Sequence, residues 1–211
     1  MRIFSLGSVM IRVDYSYMIS EYVGEDHGIS PGELKEFESR AKKALKTLEG
    51  WKESGMADWM DLPFRRDLLK DVLEEAPFIA GECDDFVVLG IGGSALGAKA
   101  LRSAILSPYY NLLSKEKRGG RPRLWIADNV DPESFSSLLE MVSPGRTVFN
   151  VVSKSGSTAE TISQFLIVAE KLKKILGTRY RERIVVTTDP VKGPLRKIAV
   201  EEGFRSFVVP P

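Results

Sequence analysis

Residues Val87–Leu101 read VVLGIGGSALGAKAL: an apolar run, glycines at 90, 92 and 93, and then helical spacing that starts near Ser94 or Ala95. A strand that turns through glycines straight into a helix opens a βα unit. Glycines let the backbone approach a ligand closely and adopt positive φ. The helix behind them presents unpaired N–H groups and the positive end of its dipole. Ser94 adds a hydroxyl, so Gly90–Gly97 is equipped to bind an anion. One helix end contributes only about 0.3–1 kcal/mol to an exposed anion, and about 2 when partly buried. A second set of donors is therefore needed.

Downstream the same texture repeats. Short β-rich runs occur at Phe86–Leu89, Leu124–Ala127, Thr147–Val152, Ile184–Thr188 and Ser206–Val209. Helical stretches separate them, at about Ala95–Leu106, Pro132–Val142, Thr158–Leu176 and Pro194–Glu202. The runs are nearly continuous in apolar residues, as strands buried on both faces are. Alternating strands and helices with right-handed crossovers predict an α/β fold, a doubly wound five-stranded parallel sheet. Pro210–Pro211 ends the fifth strand, because proline cannot continue a central one.

The second set of donors follows the third strand. Ser153-Lys154-Ser155-Gly156-Ser157-Thr158 brings four hydroxyls, a flexible glycine, an ammonium and another helix N-terminus within six residues. Phosphate oxygens accept several hydrogen bonds at once, which such a loop can supply. In an open parallel sheet, ligands bind beyond the carboxyl ends of the strands, where both loops lie. Taken singly, the glycines could be a tight turn and the Ser/Thr residues ordinary N-caps. Their pairing on strands one and three favours a shared ligand.

Upstream, to about Ala80, the chain reads as helical. Leu34, Phe37, Ala41, Ala44, Leu45 and Leu48 follow helical spacing, with Ser30 as N-cap, Pro31 at the first position and Gly50 as the stop. A shorter helix is predicted over Phe64–Glu75, opened by Asp61 or Pro63. The expected organisation is a helical amino-terminal segment, 1–80, and a ligand-binding α/β domain, 81–211. Lys115–Pro122 reads as a basic surface loop.

Bulk properties narrow the function. Thirty basic and 29 acidic residues leave a net charge of +1, which argues against nucleic acid or a membrane surface as partner. Cys83 is the one cysteine and His27 the one histidine, so neither an intrachain disulfide nor a Cys/His metal site is expected. Met1–Val13 lacks the features of a signal peptide, and no run is long enough to span a membrane. A cytoplasmic location is expected. The loop also contains G-x-G-x-x-A (Gly90, Gly92, Ala95), the weaker form of the dinucleotide fingerprint. Asp128 lies too far along to be its acidic partner, and Glu116 sits in the basic loop.

Gly90–Gly97 resembles the first glycine-rich motif of the glucose-6-phosphate isomerases, and Ser153–Thr161 (SKSGSTAET) resembles their second. Ser157 stands where threonine is usual. Asp128–Pro132 and Asp14–Ile29, with Glu25-Asp26-His27-Gly28, are also similar, and Met1–Val9 reads as an extension. The resemblance implies a sugar-isomerase (SIS) domain of Rossmann-like form that binds hexose 6-phosphate. Gly93 and Ser94 would contact substrate. Ser153, Lys154, Ser155 and Thr158 would hold its phosphate, with Gly156 and Ser157 shaping the loop. Family members interconvert glucose 6-phosphate and fructose 6-phosphate without metal or redox cofactor. A base moves a proton between C1 and C2 through an enediol while another group opens the ring.

The family's base glutamate, its G-G-R-F arginine, its ring-opening histidine and its helper lysine find no match here. No catalytic residue is therefore assigned, and the chain reads as the amino-terminal, phosphate-binding half of the enzyme. His27 reads as a turn residue and Glu160 as a helix-start residue. Full-length members are expected to be homodimers. The alternatives are a non-catalytic phosphosugar-binding module or sensor, and a nicotinamide-dependent oxidoreductase.

Overall fold

The apolar run at Val87 becomes an interior strand of a five-stranded parallel sheet in the computed structural model, which describes residues 14–210. The strands are β1 (Asp85–Leu89), β2 (Arg123–Ala127), β3 (Thr147–Ser153), β4 (Ile184–Thr188) and β5 (Arg205–Val208), in the order β2-β1-β3-β4-β5. The helices among the described residues are α1 (Ser20–Val23), α2 (Pro31–Glu53), α3 (Arg66–Glu82), α4 (Gly93–Ile105), α5 (Pro132–Met141), α6 (Ala159–Leu176) and α7 (Pro194–Glu202). Met1–Val9, read as an extension, lies outside the described residues, as does Pro211.

Strand order fixes the two layers. The β1→β2 crossover runs one way along the sheet, and the next three run the other way. Right-handed crossovers then put α4 on one face and α5, α6 and α7 on the opposite face. The sheet is doubly wound, as the sequence predicts. The α5–α7 face holds the larger core: Val87, Leu89, Phe149, Val151, Ile184 and Val186 pack against Phe135, Leu139, Phe165, Val168, Leu172 and Leu195. On the other face α3 buries Ile79 and Cys83 against Val148 and Val185.

Strand ends extend beyond the apolar runs for an electrostatic reason. Asp85 opens β1 although it is only 1% exposed. Arg123 Nε and Nη2 donate to its two carboxylate oxygens at 2.7 Å each, and Trp125 Nε1 donates to Oδ1 at 2.7 Å. Paired in this way, two charged residues occupy strand positions that composition alone assigns to loops. Along the outer edge of β2, the Asn111 side chain accepts from Leu124 N at 2.9 Å and donates to Leu124 O at 2.8 Å.

The helices bring two corrections. Gly50 does not stop α2, which runs on to Glu53. The stop is Gly55, whose φ of +78° supplies the left-handed turn beyond the helix end. The helix expected over Phe64–Glu75 is α3, and it continues through Pro77 to Glu82. Asp61 and Pro63 do not open it but lie inside a 3-10 turn, Asp58–Phe64. An interior proline costs a helix about 3 kcal/mol; burial of Ile79 and Cys83 on the sheet offsets this.

The chain forms two compact units, one ending at Pro63 and one beginning at Phe64. In the first, Ser30 and Glu33 form a reciprocal capping box at the head of α2, with bonds of 3.2 and 2.9 Å. Ile29 N donates to Met18 O at 2.8 Å and Ser20 N to Ile29 O at 3.1 Å. This approach requires a glycine at 28, because a Cβ there would lie 2.3 Å from Ser20 Cα. The second unit contains α3 and the whole sheet.

Candidate functional site

The order β2-β1-β3 makes the gap between β1 and β3 the point where the winding reverses, the usual ligand crevice of such sheets. Both predicted loops leave the sheet there, from the adjacent ends of β1 and β3. A Cβ on Gly90 would lie 3.2 Å from Val152 O and 3.0 Å from Ser94 Cβ. Only glycine lets the end of β1 pass this close to the end of β3.

In the first loop, Gly92 takes φ +55° and serves as N-cap of α4, and Gly93 is the first helical residue. The helix thus begins one residue before Ser94. Ser94 N donates to Ile91 O at 3.1 Å and Ala95 N to Gly92 O at 3.0 Å. The amide of Gly93 stays open at the helix head, beside exposed Gly92. The half-buried Ser94 hydroxyl makes no hydrogen bond among the described residues.

In the second loop, the hydroxyls divide into two groups. Ser153 is 1% exposed. Its Oγ accepts from Gly156 N at 3.1 Å and lies 3.1 Å from Thr158 Oγ1. Ser153 therefore braces the loop from inside. Ser155 and Ser157 are exposed, with their hydroxyls 3.2 Å apart. Lys154 is exposed, and its ammonium has no ion pair among the described residues. Gly156 takes φ +68° in a buried position, where a Cβ would lie 3.1 Å from both Leu195 Cβ and Leu195 N.

No side chain caps the heads of α4 and α6, which is also true of α1, α3 and α7. By contrast, Ser30 caps α2 and Asp131 caps α5, the latter accepting from Ser134 N at 2.7 Å. Thr158 stands at the N-cap position of α6, but its hydroxyl lies against Ser153 Oγ and makes no capping bond. The open amides are donors available to an anion.

Sequence reading missed the support beneath the loop. Leu195 N donates to Gly156 O at 3.2 Å, and Gly193 (φ +95°) passes so close to Ser155 O that a Cβ would lie 2.4 Å away. The available signal was Gly193-Pro194, a glycine followed by the proline that opens α7. Nearby, Asp189 accepts from Val191 N and Lys192 N at 2.8 and 2.7 Å. These amides, first that of Lys192, hold its carboxyl below the usual range, and the Lys154 charge adds to the effect. Asp128, at the end of β2, is ion-paired with Lys99.

His27 lies exposed in a turn, its amide donating to Gly24 O at 3.3 Å, and Glu160 is exposed in the first turn of α6. No group of three or more His, Cys, Asp or Glu side chains among the described residues could hold a metal ion. No helix among them is long and apolar enough to cross a membrane.

Comparison with known proteins agrees with the motifs. The chain is 40% identical over 202 residues to a glucose-6-phosphate isomerase of Carboxydothermus hydrogenoformans, covering 95% of this chain and 43% of that protein. It is 44% identical over 186 residues to the glucose-6-phosphate isomerase of Rubrobacter xylanophilus, covering 87% and 41%. A crystal structure of a hypothetical protein from Thermus thermophilus superposes with a TM-score of 0.70 at 38% identity, over 85% of this chain and 41% of that one. The chain thus spans about two fifths of the length of these relatives. The family profile described as "Phosphoglucose isomerase" matches residues 76–193, more than half of the sequence, and the chain belongs to that family.

Proposed function

We propose that the chain binds the phosphate of a hexose 6-phosphate and supplies the phosphate-holding part of an aldose–ketose isomerase acting on glucose 6-phosphate and fructose 6-phosphate. The observation that carries this reading is the pair of helix heads without side-chain caps, α4 and α6, behind glycine- and serine-rich loops that leave the neighbouring strands β1 and β3 at the point where the winding reverses. Gly93 and Ser94 offer an open amide and an unengaged hydroxyl to the sugar. Lys154 and Ser155 hold the phosphate together with exposed Ser157, in place of Ser153, which is expected from the resemblance to hold it but is buried as a brace with Gly156 and Thr158. The phosphosugar-binding sheet lies in the unit that begins at Phe64, with α3 packed on it, so the expected division after residue 80 falls within that helix. The family resemblance extends the proposal to a homodimeric, cytoplasmic full-length enzyme that uses no cofactor. The base, the enediolate-stabilising arginine and the ring-opening histidine come from polypeptide other than these 211 residues.

The test is an amide-resolved NMR titration of the chain with glucose 6-phosphate, alongside a coupled assay with fructose 6-phosphate. Shifts should concentrate at Gly93, Ser94 and Ser153–Thr158, and Lys154→Met should weaken them, with no turnover. Shifts absent from both loops, or turnover by the isolated chain, would sink the proposal.

A further inference from the structure

The sheet-facing side of α6 is apolar along Ile162, Phe165, Val168, Ala169 and Leu172, with two polar exceptions. Thr161 is 1% exposed and Gln164 is 2% exposed. Thr161 Oγ1 and Gln164 Oε1 find no hydrogen-bond partner among the described residues. A buried polar atom without a partner destabilises a fold, so each one in a native core asks for a reason. Stability does not supply it, since leucine or methionine would fill the position of Gln164 without burying an unpaired oxygen.

The other atom of the same amide does supply it. Gln164 Nε2 donates to Asn129 O at 2.8 Å. Turning the amide over would set Oε1 against that carbonyl, so the bond decides which atom is left unpaired. Asn129 lies just beyond β2, and the residues there are tied in turn to three parts of the candidate site. Ala127 O accepts from Gly90 N at 3.4 Å, the Asp128 carboxylate pairs with Lys99 of α4, and Asn129 O accepts from Gln164 of α6. The Lys99 pair is solvent-exposed and therefore weak. Gln164 is the buried anchor.

We infer that Gln164 is a positioning residue: bonded to the loop after β2, it holds the head of α6 in a fixed relation to the head of α4, so that both sets of donors converge on one phosphate. Preorganised donors meet an anion without rearranging, and displacing one set weakens the grip of both. The inference deepens the proposed phosphate site and rests on it.

The probes are glucose 6-phosphate and inorganic phosphate, titrated by NMR into the full 211-residue chain, with thermal unfolding measured on the same samples. Gln164→Met keeps the volume and removes both amide atoms. It should weaken both ligands about three- to thirtyfold, while the melting temperature holds or rises by about 2–4 °C. Gln164→Leu is a second variant with the same expected outcome. Val168→Ala removes an apolar side chain buried on the same helix and is the control. Its melting temperature should fall by about 3–10 °C, with affinity, read well below that temperature, changed by less than about twofold. Unchanged affinity in both Gln164 variants, or affinity that merely tracks melting temperature across all three, would overturn this role and leave the phosphate site standing. So would loss of the fold in both Gln164 variants, as a purely structural residue predicts. An unsubstituted chain that binds neither probe would remove the site and this role together.

Discussion

Replacing Gly156 by alanine tests whether the second loop is held in one shape by its neighbours. Two costs follow from its position. An L-residue in the left-handed region loses about 1–2 kcal/mol relative to glycine, and Gly156 sits at φ +68°. The new Cβ would also stand 3.1 Å from Leu195 N and Leu195 Cβ and 3.4 Å from Thr188 Oγ1. Leu195 N is a poor atom to displace, because it is backbone already bonded to Gly156 O at 3.2 Å. Relief must move the head of α7, and overpacking of this kind costs about 1–3 kcal/mol. Together Gly156→Ala should destabilise the chain by about 2–5 kcal/mol. At about 2–4 °C per kcal/mol for a chain of this size, the melting temperature should fall by roughly 5–15 °C. Urea and thermal unfolding followed by far-ultraviolet circular dichroism measure both. Gly97→Ala is the matched control: nothing lies within 4 Å of its Cβ, and it sits inside α4. That change should stabilise by about 0.5–1 kcal/mol. If Gly156→Ala cost less than about 1 kcal/mol, the account of a loop clamped against α7 would be wrong.

Three further outcomes follow. Ser153→Ala leaves the buried Gly156 amide without its acceptor and should cost about 1–3 kcal/mol, whereas Ser155→Ala should stay within about 0.5 kcal/mol in the same urea titration; equal effects would remove the distinction between inner and outer hydroxyls. Arg146, and then Lys115, hold the Asp84 carboxyl well below the usual carboxylate range. Its stabilisation is therefore present above the unfolded carboxylate pKa and lost as pH falls towards the folded one. Asp84→Asn should lower stability at neutral pH and flatten the acid limb of a stability–pH profile; an unchanged limb would refute the pairing. Burial pushes the Cys83 thiol up to about 11, so its stabilising effect is full below the unfolded thiol pKa and fades as pH rises from there through about 11. A disulfide reagent at pH 8 should titrate Cys83 slowly in the native chain and rapidly in urea; fast native labelling would contradict a buried thiol.

The sheet was legible because its strands are continuous apolar runs bounded by glycine, proline and serine. Three of the four helices between them begin at a glycine or proline, Gly93, Pro132 and Pro194, and the fourth, α6, follows Thr158. What escaped is set by contacts distant in sequence. Asp85 and Arg123 become strand residues only because they meet each other across the sheet. Pro77 remains helical because Ile79 and Cys83 find Val148 and Val185. In the candidate site, the glycines and hydroxyls could be read by type and spacing. That Ser153 turns inward while Ser155 and Ser157 turn outward depends not only on nearby Gly156 and Thr158 but on the α7 loop beneath, which is distant in sequence.

The Asn111 side chain gives the sheet a direction of growth. A primary amide has the same donor and acceptor pair as a peptide unit, and here it occupies both backbone groups of Leu124 on the outer edge of β2. A foreign strand arriving at that edge would find the middle of its hydrogen-bonding row already taken. Edges left open are where chains add to one another or aggregate. With β2 occupied in this way, extended polypeptide can join the sheet in register only at β5, the far edge in the strand order. Asn111 acts as a one-residue terminator, making sheet extension a one-ended process.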